Sequence, residues 1–226
     1  MTITINGTTG IAGVDGSAST PAVQGTDTNT GVFFGTDTVT IATGGTAAVT
    51  VDSGQRTKFP TTIGVGNAAP STSGSGITFP ATVSASSDAN TLDDYEEGTW
   101  TPIIGGSGGQ SGQSYGTRNG TYVKVGKIVV ASFDATLSAK GTLSGTYVQI
   151  KGLPFTIQTT QIQSGAPLYF VSLATNWITL NLQTEENTTN AYVWGMTAAG
   201  VSRTYPAASD IGNSTQLAGI LVYQST

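Results

Sequence analysis

The chain contains no cysteine and no histidine, and only 9% of its 226 residues are charged. Without cysteine there is no disulfide framework, thiol nucleophile or Cys-type zinc site. Without histidine the commonest general base and the commonest transition-metal ligand are both missing. A Ser-His-Asp triad, a His–carboxylate iron site and an HExxH zincin are therefore excluded. Charge is the third scarcity: an average soluble domain has roughly 25% charged residues, so solubility here must come from hydroxyls and amides. Eight Lys and Arg residues, scattered singly, leave no electrostatic footprint for nucleic acid. No apolar run approaches the roughly 18 residues of a membrane span, so no membrane insertion is expected. MTITINGTTG has neither a basic segment nor an apolar core, so no signal peptide is expected.

What fills the chain is Gly, at 31 positions, together with Thr, Ser and Asn. Hydrophobic residues reach 37%, and glycine adds little packable volume, so the core must be thin. A thin core rich in β-branched threonine suits β-structure that borrows burial from partner chains. The net charge of −5 and frequent apolar alternation argue against intrinsic disorder, which usually accompanies high net charge.

Residues 1–56 read as short strands punctuated by turns, beginning with TITI at 2–5. VTIATGGTAAVTVDSG is the clearest unit. Val39, Ile41, Val49 and Val51 alternate with threonines around Gly44-Gly45, the pattern of a hairpin with one apolar and one hydroxyl face. Such a hairpin cannot stand alone in water, so a trimer held mainly through the N-terminal half is expected. Residues 57–89 carry two frames, FPTTIGVG and FPATVSAS, around a Gly/Ser/Pro-rich stretch, and read as a thin neck. From residue 90 the composition shifts. All three tryptophans, Trp100, Trp177 and Trp194, lie beyond this point, and the strand candidates become longer and more apolar. TYVKVGKIVVASFDATLS gives two strands joined at Gly126-Lys127; TYVQIKGLPF, APLYFVSLA, WITLNLQT, AYVWGMTA and LAGILVYQ follow. No helical period intervenes. The expected fold is all-β: a thin N-terminal shaft, then an antiparallel β-sandwich or jelly-roll-like knob over residues 90–226.

NTLDDYEEGTWTP at 90–102 concentrates four of the 13 acidic residues, Asp93, Asp94, Glu96 and Glu97. Catalytic carboxylate pairs usually come from separate segments with one member desolvated. A Ca²⁺ loop fits the oxygen donors, but the alternating D-x-D-x-D spacing is missing. The stretch reads best as a solvated charged turn leading to Trp100, a core or interface anchor, with Pro102 confining the next step to a sheet edge. No catalytic residue, metal or cofactor is expected.

FPATVSASSDANTLDDYEEGTWTP, NGTYVKVGKIVVASFDATLS and IKGLPF resemble a module of tailed-bacteriophage fibre and receptor-binding proteins, especially those of phages of cyanobacteria and other aquatic bacteria. PAVQGTDTNTGVFFGTDTVTIATGGTAAVTVDSGQ, with its DTNTG and TGGT elements, is similar to the segment that precedes such modules. The resemblance covers most of residues 20–155. It implies a homotrimeric, β-rich virion protein, assembled in the host cytoplasm, whose N-terminal region meets other virion proteins while the C-terminal domain projects. Such chains often continue into a self-cleaving chaperone with Ser-Asp-Lys chemistry, which has no evident counterpart here. Trimerisation is then expected to be encoded in shaft and knob.

The leading functional expectation is host attachment through bacterial surface glycan, with Trp177, Tyr192 and Trp194 as candidate contacts. Alternation puts Tyr192, Trp194 and Met196 on one strand face. That face is either a sugar platform or part of the packed core, the commoner fate of large aromatics. The alternative is a capsid decoration, cement or head-fibre protein that stabilises the particle without recognising a host. A depolymerising spike enzyme would need long parallel rungs that the sequence lacks, so a non-enzymatic role is expected.

Overall fold

The computed structural model describes residues 4–7, 10–12, 14–88, 90–159 and 165–226, and every regular element among them is a β-strand. No helix among these residues is long and apolar enough to cross a membrane. The chain divides into two compact units, Met1–Thr82 and Val83–Thr226.

The first unit is organised around a five-stranded antiparallel sheet in chain order: Val23–Gln24, Gly31–Gly35, Thr38–Thr43, Thr46–Val51 and Thr57–Lys58. In its central hairpin Val39 faces Val51 and Ile41 faces Val49. Gly44 and Gly45 make the turn at φ +56° and +75°, the consecutive left-handed conformation that a two-residue hairpin loop requires. The burial of this hairpin is inverted from ordinary practice. Thr40 and Ala42 are buried while Val39, Ile41 and Val51 are 38–46% exposed. Of TITI, positions 2 and 3 lie outside the described residues; Thr4–Asn6 pairs antiparallel with Gly10–Ala12. The two Phe-Pro frames are not structural equivalents. Thr62 and Ile63 of the first lie in Thr62–Gly64, which pairs in parallel with Gly76–Thr78, a strand that ends just before the second frame begins.

The second unit is one eleven-stranded antiparallel sheet. Its spatial order is Tyr95–Trp100, Ser114–Val125, Ile128–Ala139, Ile211–Gln224, Gly165–Leu173, Thr179–Glu185, Asn190–Met196, Val148–Lys151, Ile103–Gly106, Gly109–Ser111 and Thr142–Ser144. The last strand of the chain thus sits in the interior, between Ile128–Ala139 and Gly165–Leu173. The sheet curls so that its inward faces close on a single core. Val129, Leu217 and Leu221 from one half meet Ile150, Leu182 and Val193 from the other. Gly126, at φ +54°, closes the longest hairpin, with Val125 opposite Ile128.

Trp100 anchors the first edge of this sheet. It lies opposite Gly120, where a Cβ would come within 2.6 Å of the indole nitrogen, so the ring needs a glycine beneath it. Its Nε1 donates to the carbonyls of Ser132 (3.0 Å) and Thr121 (3.2 Å), and its ring meets Phe133 edge-on at 5.9 Å. Trp100 is a core anchor. Pro102 does not confine the following strand to an edge. Ile103–Gly106 is interior, between Val148–Lys151 and Gly109–Ser111, and the edge strand is Tyr95–Trp100 before it. Pro102 occupies the link between the two strands, where its missing N–H costs no ladder bond, and its carbonyl accepts from Arg118 Nε at 2.8 Å.

Candidate functional site

The acidic stretch corrects the expectation of a solvated turn. Tyr95–Trp100 is a strand, and alternation sends its neighbours to opposite faces. Asp94, just before it, is buried and forms an ion pair with Lys124, itself buried. Glu96 points the same way and accepts the Tyr122 hydroxyl; that hydrogen bond, burial and the carboxylate charge push Tyr122 up to about 12. Glu97 lies on the other face and accepts from Tyr95 at 3.0 Å. Asp93 accepts the backbone N–H of Ser86 at 2.8 Å. Four carboxylates therefore go to four separate partners. Among the described residues, no group of three or more His, Cys, Asp or Glu is placed to hold a metal ion. A local reading could not find this arrangement, because Tyr122 and Lys124 arrive from a strand more than twenty residues away.

A different cluster has the form of a recognition surface. It lies on the outward face of Val148–Lys151, Asn190–Met196 and Thr179–Glu185, in the second half of the sheet. Tyr192 and Trp194 alternate there with buried Ala191 and Val193. The segment 203–206 adds to the sheet beside Asn190–Met196, with Thr204 in an antiparallel bridge to Gly195. Thr204 exchanges both backbone hydrogen bonds with Gly195, and the Pro206 carbonyl accepts the Val148 N–H at 2.9 Å. This docking brings Tyr205 against Tyr147 (5.5 Å between ring centroids) and Tyr192 (6.2 Å), while Tyr147 and Tyr192 meet at 5.2 Å. Arg203 from the same segment lies 5.5 Å from the Trp194 ring centre and donates to Gln183 Oε1 at 2.7 Å.

Glu185 organises the polar half. It accepts from Tyr192 Oη (2.6 Å), Gln149 Nε2 (2.8 Å) and Asn190 Nδ2 (2.9 Å). Burial pushes its carboxyl up, but the hydrogen bonds from Tyr192, Asn190, Gln149 and Thr188 outweigh this and hold it below the ordinary value of 4.5. Burial first, and then the Glu185 carboxylate, raise Tyr192 well above the usual phenol range. Beside them is an open depression of about 420 Å³ lined by Thr184, Glu185, Glu186, Asn187, Thr188 and Tyr192. A carboxylate so fully supplied with donors is held in its ionised form and orients its neighbours.

A depressed carboxyl pKa means stability that is complete above the unfolded value and is lost as pH falls below it. In urea titrations from roughly pH 6 down to pH 3, Glu185→Gln is therefore expected to flatten part of the acid loss seen in the unsubstituted chain. An unchanged slope would show that the cluster does not hold the carboxylate ionised.

Of the residues singled out from sequence, the structure places Tyr192 and Trp194 together on this surface. Trp177 does not join them: it is 9% exposed and belongs to the core, packed so closely that a Cβ on Gly195 would lie 3.0 Å from its ring. Tyr147, Tyr205, Glu185 and Arg203 were not anticipated. Tyr147 falls in the strand candidate TYVQIKGLPF, directly before Val148–Lys151, but nothing local joins it to Tyr205, which lies outside the regular strands. Comparison with protein-family models, curated proteins and solved structures finds no match to this chain.

Proposed function

We propose that this chain is a structural virion protein of a tailed bacteriophage, a homotrimeric fibre that attaches the particle to glycan on the host surface and is not an enzyme. The likeness of residues 20–155 to phage fibre and receptor-binding proteins motivates the class. The ledge formed by Tyr147, Tyr192 and Tyr205 beside Glu185 carries the role. Sugar rings present apolar C–H faces that stack on aromatics, and hydroxyls that bond to amides and carboxylates. Tyr205, 37% exposed, offers a ring, while Asn190 and Glu186 offer polar partners at the rim. In this reading the first unit is the thin trimeric shaft that meets other virion proteins. The curled sheet is a sandwich-like, jelly-roll-like knob that presents the ledge. Three copies would add avidity to a site that is weak singly.

The purified chain is expected to compete with phage particles for adsorption to host cells. Replacing both Tyr205 and Trp194 with alanine should weaken that competition by roughly 10–30-fold, the loss typical of an aromatic hot spot. Failure of the unsubstituted chain to compete at saturating concentration would overturn host attachment. The low charge of the chain, 9% charged residues, and its strand-rich make-up favour, as a second reading, a decoration or cement role in which the chain only binds other virion proteins. Imaging its position on the virion separates the two.

A further inference from the structure

The outward face of the first half of the large sheet carries exposed apolar side chains on five adjacent strands, concentrated at the end nearest Gly126. Val125 pairs with Ile128 at the hairpin end, and Val123, Val130 and Val222 form the next row across three strands. Ile220 lies opposite Ser132 in the row beyond. Tyr169 and Val171 extend the patch on Gly165–Leu173, and Tyr95 closes it on the edge strand. These nine side chains are 39–58% exposed. Their inward neighbours are already core: Val129, Ala131, Leu217, Leu221 and Leu168 are buried. The strands IVVA and GILVY are thus apolar on both faces, the sequence habit of strands covered on both sides and not of a sheet with one face in water.

Two of the nine are tyrosines of roughly 150–250 Å² each and seven are the smaller Val and Ile, so at about half exposure the nine present on the order of 700 Å². That exceeds the roughly 300–600 Å² of the largest apolar patch on an ordinary monomer. It approaches the roughly 800 Å² that each partner contributes to a standard stable interface. Charge is nearly absent from the patch. Asp134 is hydrogen-bonded by Gln216 at 2.8 Å, and Glu97 sits on the edge strand with its Tyr95 bond.

The occupant is indicated by the first unit, which has the same feature independently. Its hairpin presents Val39, Ile41 and Val51 outward with Thr40 buried. A foreign partner would have to match two unrelated faces on two separate units. Further copies of the same chain carry both faces together, and a closed cyclic assembly repeats one interface around its axis, so the same copies can cover both. We infer that this face of Tyr95–Trp100, Ser114–Val125, Ile128–Ala139, Ile211–Gln224 and Gly165–Leu173 packs against other copies of this chain. The second unit thereby supplies a self-association surface of its own, in addition to the hairpin of the first. The inference rests on the homo-oligomeric reading of the fibre but places the contact more narrowly.

The test uses the whole chain and its mass in solution. The unsubstituted chain is expected to sediment at three times its 22.9 kDa mass. Val130→Asp combined with Ile220→Asp should shift that assembly toward smaller species at a concentration at least roughly 100-fold higher than the unsubstituted chain requires. Both positions are exposed, so far-UV circular dichroism should be unchanged. Because the chain has no cysteine, accessibility gives a second measurement that does not depend on tolerating the aspartates. A maleimide should label Ile220→Cys at least roughly tenfold more slowly than the control Ser202→Cys in the native assembly. Equal labelling within an intact trimer, or a doubly substituted chain that dissociates like the unsubstituted one, would overturn this interface and leave the trimer standing. A monomeric unsubstituted chain would overturn both.

Discussion

Trp100→Ala is expected to lower the stability of the second unit by about 3–5 kcal/mol, the range for truncating a large buried aromatic. Several effects add at this position. The indole covers Gly120, an inward position with no side chain to fill the space left behind. Its removal also strips the N–H donor from the Thr121 and Ser132 carbonyls and the edge contact from Phe133. Trp100→Phe should recover much of the loss, since it keeps the ring against Phe133 and forfeits only hydrogen bonds worth about 0.5–1.5 kcal/mol each. Gly120→Ala provides the reciprocal test. Its methyl would push the indole off the strand, and overpacking of this kind costs about 1–3 kcal/mol. Urea unfolding followed by fluorescence suits the measurement, because Trp177 and Trp194 remain as reporters within the same unit. A loss below about 1 kcal/mol for Trp100→Ala would place it among ordinary surface substitutions and remove it as the anchor.

Local pattern made much of the fold legible. Period-two alternation located strands throughout the chain, and the hairpins at Gly44-Gly45 and Gly126-Lys127 turn where two residues of suitable conformation were available. The harder question was which face of each strand is inside. In IVVA and GILVY both faces are apolar, so alternation gives no direction. In the first unit the threonine side of the hairpin is the buried one. The same limit explains the aromatic site. Trp177 and Trp194 are equivalent by composition, yet one lies in the core and the other beneath Arg203 on the outside. Tyr205 reaches Tyr147 and Tyr192 only because its segment is paired to the Gly195 and Val148 backbone, a contact between residues far apart in sequence. Strand order was equally hidden, since the final strand inserts in the interior of the sheet, between two strands that precede it in the chain.

The acidic stretch carries the sharpest consequence of that non-local pairing. Asp94→Ala, leaving the Lys124 ammonium buried without its counter-charge, is expected to cost about 3–5 kcal/mol, the usual penalty for breaking a buried ion pair from one side. Lys124→Met should cost about as much, because it strands the carboxylate in the same way. Removing both charges is a different experiment. With Asp94→Leu and Lys124→Met together no uncompensated charge remains, and such replacements are often neutral or stabilising. The double substitution should therefore be far milder than the sum of the single ones, a coupling that a double-mutant cycle reads directly. The backbone helps to isolate the effect: the Asp94 carbonyl accepts the Gly126 N–H at 2.9 Å, and that bond survives any change of side chain. Salt gives an internal control. Buried pairs are screened little, so the cost of Asp94→Ala should persist at high ionic strength. The exposed Arg56–Asp52 pair in the first unit should be insensitive to substitution from the start. If both single variants at Asp94 and Lys124 unfold at the unsubstituted midpoint, the pair is solvated and the stretch is the open charged turn its composition suggests. If they fall steeply and the double variant recovers, the acids are there to seat the edge strand on its neighbour.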